Sequence, residues 1–178
     1  EYVRGGEVSA NFLSVVGVPV IKGRGFLPDD DKPAAAPVAI IAYGLWQRQF
    51  GGAEVLGRQI VFDGAAHTVI GVLPPDFRWR GELQVLFPLG QNVMPAMQNR
   101  RAHPGIVGIA RLEAGSTIEE VRAELALVGR RLAQAYPASN EGRTFIADPL
   151  RPEVGNARST LWLLLGAVGL VLLIACVN

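Results

Sequence analysis

The chain has 178 residues, of which 49% are hydrophobic and 19% charged, with a formal net charge of +1. That length suits one domain of roughly 150 residues plus an appendage rather than two large domains. A near-neutral balance, with adjacent basic pairs only at Arg100-Arg101 and Arg130-Arg131, excludes the electrostatic footprint of a nucleic-acid binder.

The opening "EYVRGGEVSA" has neither a start methionine nor a basic-then-apolar signal pattern, and it reads as an internal cut in a longer protein. "YVRGGEV" suits a short strand. "SANFLSVVG" follows with Ser9 as helix cap, Phe12, Leu13 and Val16 at helical spacing, and Gly17 as the stop. The Pro-, Gly- and Asp-rich stretch from Val18 to Pro37 reads as a surface crossing after a short extended piece. "VAII" is a continuous apolar run expected to be buried on both faces of a sheet. "YGLWQRQFGG" predicts a short helix with Leu45, Trp46 and Phe50 inward, ended by Gly51 or Gly52. "RQIVFDGAAHTVIGVLPP" predicts a hairpin turning at Asp63-Gly64, with Pro74-Pro75 closing its second strand. "LQVLFPL", "IVGIARL" and "RTFIADPL" are further strand candidates.

The strongest local signal is a helix after Ser116. Ser116 and Glu119 fit a capping box, and Ile118, Val121, Leu125, Val128 and Leu132 repeat at 3-4-3-4 spacing as one apolar stripe. Arg130 and Arg131 suit the negative end of the helix dipole, and Pro137 stops the helix after Tyr136. Taken together the elements predict an α+β fold: a mixed sheet with βα units and a β-hairpin, helices packed on it, then a transmembrane helix.

That last element is "LWLLLGAVGLVLLIACVN". From Leu161 to Val177, seventeen residues carry no charge and no proline, the short end of a bilayer span. Arg158 just outside it and Trp162 near its start fit a snorkelling cation and an interfacial aromatic anchor. "LIAC" resembles a lipobox, but a lipobox works near a protein's start, and here a whole domain precedes it. Cys176, the single cysteine, is therefore read as an ordinary residue of the span. Gly166 and Gly169 do not form a GxxxG packing motif. Arg151 and Arg158 against Glu153 do not decide orientation, because whole domains translocate largely regardless of local charge.

Chemistry is sparse. Asp29-Asp30-Asp31 lacks the alternating ligand spacing of a calcium loop, and a solvated loop with one aspartate capping a turn is expected instead. His67 and His103 have no zinc-ligand spacing, no serine lies in GxSxG, and no phosphate loop is present. Trp46 is expected in the core and Trp79 folded onto the domain. No catalytic, cofactor or metal residue is nominated.

Several stretches together resemble one family. "VSANFLSVVGVPVIKGRGFLPDDD" carries an "NF…G" and "GR.F…D" signature. "VAIIAYGLWQRQFGG" with "VLGRQIVFDGAAHTVIGVLPPDF", "GIARLEAGSTIEEVRAEL" and "LLGAVGLVLLIACVN" follow in the same order. Their series resembles the MacB-like periplasmic core domain of FtsX-type ABC transporter permeases, including large acidobacterial-type single-polypeptide permeases. The resemblance implies an extracytoplasmic domain over residues 1–150, a juxtamembrane stalk over 151–160 and a truncated transmembrane helix over 161–178. It implies a place in the bacterial inner membrane with residues 1–160 outside the cytoplasm, and a permease homodimer or pseudo-dimer. ATP would be bound by a partner cytoplasmic ABC ATPase and not by this chain, which would contact membrane lipid and a periplasmic adaptor but no nucleic acid. A reading from another class is a membrane-tethered binding or sensor module, which a signalling domain beyond Asn178 would favour.

Overall fold

The computed structural model describes residues 2–79, 83–92, 94, 95, 99, 105–150, 162 and 164–168. The chain divides into two compact units, residues 1–145 and 146–178.

In the first unit, β1 (Gly5–Val8) leads into helix α1 (Phe12–Val16). Asn11 caps α1 rather than Ser9. Ser9 instead donates its hydroxyl to Asn11 Oδ1, and its carbonyl accepts the Phe12 amide, so the turn before the helix uses up the serine. Gly17 then ends α1 in the left-handed conformation, as the spacing predicts. After a crossing that contributes only the two-residue β2 (Lys22–Gly23), β3 (Val38–Ile41) and α2 (Tyr43–Phe50) form where expected. The hairpin is β4 (Gln59–Phe62) and β5 (Ala65–Val72); both Asp63 and Gly64 have positive φ, as a two-residue type I′ connection requires. The last strand is β6 (Val85–Pro88), followed by a 3₁₀ turn, Leu89–Gln91.

The strands form one mixed sheet in the order β1-β6-β3-β5-β2, with β4 also on β5. β1 runs parallel to β6 and β3 parallel to β5, while β3–β6, β2–β5 and β4–β5 are antiparallel. Strand periodicity divides the core between two faces. Val38 and Ile40 of β3 and Leu86 of β6 join Phe12, Leu13, Phe26 and Phe77 on the α1 side. Ala39 and Ile41, with Val85 and Phe87, join Leu45 and Val55 on the α2 side. A register slip between Ala39 and Ile40 gives β5 one extra residue, so Val69 and Val72 face the same side.

Beyond β6 the sequence expectations hold less well. "IVGIARL" is not a strand: residues 105–112 run without regular structure and are largely exposed, although Ile109 packs on the α1-side core. Arg111 donates to the Val15 carbonyl at 2.7 Å, anchoring the segment through a side chain where a strand would use a backbone ladder. "RTFIADPL" also lacks strand pairing. A strand-like pattern becomes a strand only when an edge is there to accept it.

The long helix α3 (Ile118–Ala135) is present, with its capping box one residue later than expected. Thr117 is the cap: its hydroxyl accepts the Glu120 amide and Glu120 accepts the Thr117 amide at 2.8 Å. Ser116 is consumed by the preceding turn, its amide donating to the Glu113 carbonyl. Arg130 and Arg131 fall before the last turn, which holds no basic residue. Tyr136 ends α3, and Pro137 opens a short helix, α4 (Pro137–Asn140). In the second unit, Trp162 and residues 164–168 are helical.

Candidate functional site

Two of the segments that carry the family resemblance, "GRGFLPDDD" and "YGLWQRQFGG", help build the scaffold. In "GRGFLPDDD", Gly23 crosses β5 so closely that a Cβ there would lie 2.1 Å from the Ile70 carbonyl oxygen. Arg24 forms a two-pronged ion pair with Asp30, whose side chain is only 14% exposed, and Phe26 enters the core. In "YGLWQRQFGG", Leu45 is buried, Trp46 Nε1 donates to the Ala53 carbonyl at 2.7 Å, and Gly51 caps the helix. Lys22 joins this corner by pairing with Glu54 and lying over the Trp46 ring at 5.7 Å.

The aspartate run is more tightly knit than a solvated loop. Among the described residues Asp29 pairs with Lys32 at the surface. Asp30 accepts both the Arg24 guanidinium and the Leu27 amide. Asp31 accepts the Ala10 amide at 2.8 Å and the Gly90 amide at 2.5 Å, joining the start of α1 to the turn after β6. Gln91 adds bonds from its side-chain amide to the Asp30 and Ala36 carbonyls. These carboxylates are therefore occupied as structural acceptors. No group of three His, Cys, Asp or Glu side chains able to hold a metal occurs among the described residues.

His67 packs on Phe87 with centroids 4.6 Å apart and the rings tilted by 51°, its Nδ1 near the Ala65 carbonyl; His103 lies outside the described residues. Trp79 packs edge-on against Phe12 at 5.0 Å, folded onto the domain as expected.

The electrostatics bear on stability. The Arg24 hydrogen bond holds the Asp30 carboxyl below its ordinary range, and the Leu27 amide adds to this. Lys22 does the same for Glu54, as does the Thr117 amide for Glu120. A folded-state pKa below the unfolded value adds stability that is present above the unfolded value and lost as pH falls through the folded one. Thermal unfolding of the chain in detergent is thus expected to shift to lower temperature between about pH 5 and about pH 2, and Asp30→Asn is expected to flatten that slope.

What remains open to a partner is apolar surface. On α3, Ile118, Val121, Leu125 and Leu132 of the stripe are half-buried and Val128 is 42% exposed, while the one buried residue is Gly129, under Phe145. Ile106, Val107 and Leu112, before the helix, are also exposed.

Of the expected membrane residues, Arg158, Leu161 and Val177 lie outside the described residues. Trp162 is 65% exposed, and Leu164, Leu165 and Val168 are exposed beside it. No helix among the described residues is long and apolar enough to cross a membrane.

A protein-family profile described as MacB-like periplasmic core domain matches residues 1–128. The pyoverdine export ATP-binding/permease protein PvdT of Pseudomonas aeruginosa is 24% identical over 170 residues, covering 93% of this chain and 25% of that protein. The periplasmic region of MacB from Actinobacillus actinomycetemcomitans has a similar structure, with a TM-score of 0.52 at 14% identity, over 76% of this chain and 58% of that one. The extracellular domain of the noncanonic ABC-type transporter YknZ from Gram-positive bacteria gives 0.50 at 18% identity, over 75% and 64%. The chain thus spans about a quarter of the curated relative's length. At these identities the structural likenesses establish a shared fold.

Proposed function

The chain belongs to the MacB-like periplasmic core domain family, found in ABC transporter permeases, and from that premise we propose that it converts ATP-driven movement in the membrane into conformational change outside it. Residues 1–150 form the extracytoplasmic body, 151–160 a stalk, and Leu161 to Val177 the start of a helix returning to the cytoplasm. Arg158 and Trp162 anchor that helix at the interface. A cytoplasmic ABC ATPase binds and hydrolyses ATP, and the permease works as a homodimer or pseudo-dimer, with a periplasmic adaptor as a further partner.

The observation that carries this reading is the order of the pieces: a family-matched domain over residues 1–128 followed by an uncharged run of seventeen residues. The scaffold supports it physically. A lever must move as a unit, and the ties of Arg24, Asp30 and Asp31 join segments up to eighty residues apart without offering a reactive group.

A distance measurement tests the coupling. Spin labels at Val61, which is 75% exposed, would be placed in the full-length permease reconstituted in liposomes with its ATPase. The label separation between the two permease copies is expected to change when ATP replaces ADP. An unchanged distribution, with hydrolysis intact, would contradict mechanotransmission.

A further inference from the structure

We propose that α3 is a docking surface for a second copy of this chain, the two helices lying antiparallel with Glu124 of each against Arg131 of the other. The stripe Ile118, Val121, Leu125, Val128 and Leu132 has the 3-4 spacing of a two-helix seam and is half-buried except at the exposed Val128, and among the described residues α4 is the one helix or strand that α3 packs against appreciably. Around the helix, Gly129 lies on one flank of the stripe, roofed by Phe145, while the exposed Glu124 and Arg131 lie on the other.

Charge selects the partner and its direction. The first half of α3 carries Glu119, Glu120 and Glu124 with one basic residue, Arg122, which pairs with Glu119 at 3.5 Å, whereas Arg130 and Arg131 fall in its second half. Matching the apolar layers of two antiparallel copies puts Leu125 of one beside Val128 of the other, and Val121 beside Leu132. That register brings both Glu124–Arg131 pairs together across the seam. Parallel pairing would instead set Glu124 beside Gly129 and leave the arginines unmatched.

An 18-residue helix is about 27 Å long, so the seam alone is smaller than a stable soluble interface. Membrane anchoring raises the effective concentration enough for such a contact to matter, and in this the inference rests on the proposed function.

The test uses the chain in lipid bilayers with Cys176→Ser, so that introduced cysteines are the only thiols. Differently tagged Leu125→Cys and Val128→Cys chains are mixed and oxidised. The 125–128 cross-link is expected to exceed both same-position cross-links. Glu124→Arg is expected to lower it roughly tenfold, and adding Arg131→Glu to restore it. Dominant same-position cross-links, or a yield indifferent to the charge reversals, would overturn the proposal; so would absence of cross-linking, the result if another protein covers the face. No ATPase is needed, so failure here is distinct from failure of nucleotide-driven movement.

Discussion

Gly23→Ala is expected to remove a large share of the stability of the first unit. Gly23 has φ +75°, where a side chain costs about 1–2 kcal/mol, and its Cβ would meet the Ile70 carbonyl oxygen at 2.1 Å and Leu56 Cδ2 at 2.8 Å. Ile70 is backbone of the central strand β5, so β2 itself must move. That shift breaks the pairing of Lys22 with Val72 and of Gly23 with Gly71, and the Arg24 amide bond to the Ile70 carbonyl. It also misplaces Arg24 and Phe26. A loss above about 3 kcal/mol is expected, a large share of the roughly 5–15 kcal/mol available to a domain. Gly25→Ala is the control, since its Cβ would find its nearest neighbour, a Val20 methyl, at 4.0 Å. Thermal unfolding and proteolysis of the two variants should separate them clearly; equal stability would contradict the close approach.

The second large effect is expected at Asp31. Asp31→Ala leaves the Ala10 and Gly90 amides without their acceptor, at a cost of about 2–4 kcal/mol for two part-buried donors. Nothing bulkier than glycine at position 90 would restore the contact, because a Cβ there would lie 2.0 Å from the Asp31 carbonyl oxygen. Asp31→Asn should not rescue, since its NH₂ would face an amide donor. Asp29→Ala, which removes only a surface pair with Lys32, should change stability by less than about 0.5 kcal/mol. Equal losses at Asp29 and Asp31 would refute the bridging role.

Both sites mark the boundary of what sequence alone discloses. α1, α2, β3 and the β4–β5 hairpin are legible because their signals are local: helical spacing with a terminal glycine, a β-branched run, and Asp63-Gly64 between alternating strands. The role of Asp31 is not, because its partners lie 21 and 59 residues away and no spacing rule connects them. "IVGIARL" misleads for the opposite reason. Its residues favour a strand, but Ile109 and Arg111 fasten the segment to the α1 side without a ladder. The capping box slips by one because Ser116-Thr117 precedes Ile118-Glu119-Glu120, so either hydroxyl fits the pattern, and the turn from Glu113 decides between them. The α3 stripe is legible as an apolar face, but the contact of Phe145 with Gly129 beside it joins residues that no spacing rule connects.

The central claim is that the family-matched body lies outside the cytoplasmic membrane, with the chain anchored through Leu161 to Val177. Cysteine accessibility in intact cells tests it most directly, using Val61→Cys in a Cys176→Ser background and a membrane-impermeant maleimide. Val61 is 75% exposed on edge strand β4 and should react from outside without permeabilisation. Labelling that requires disruption of the cytoplasmic membrane would place the domain on the other side and contradict the account.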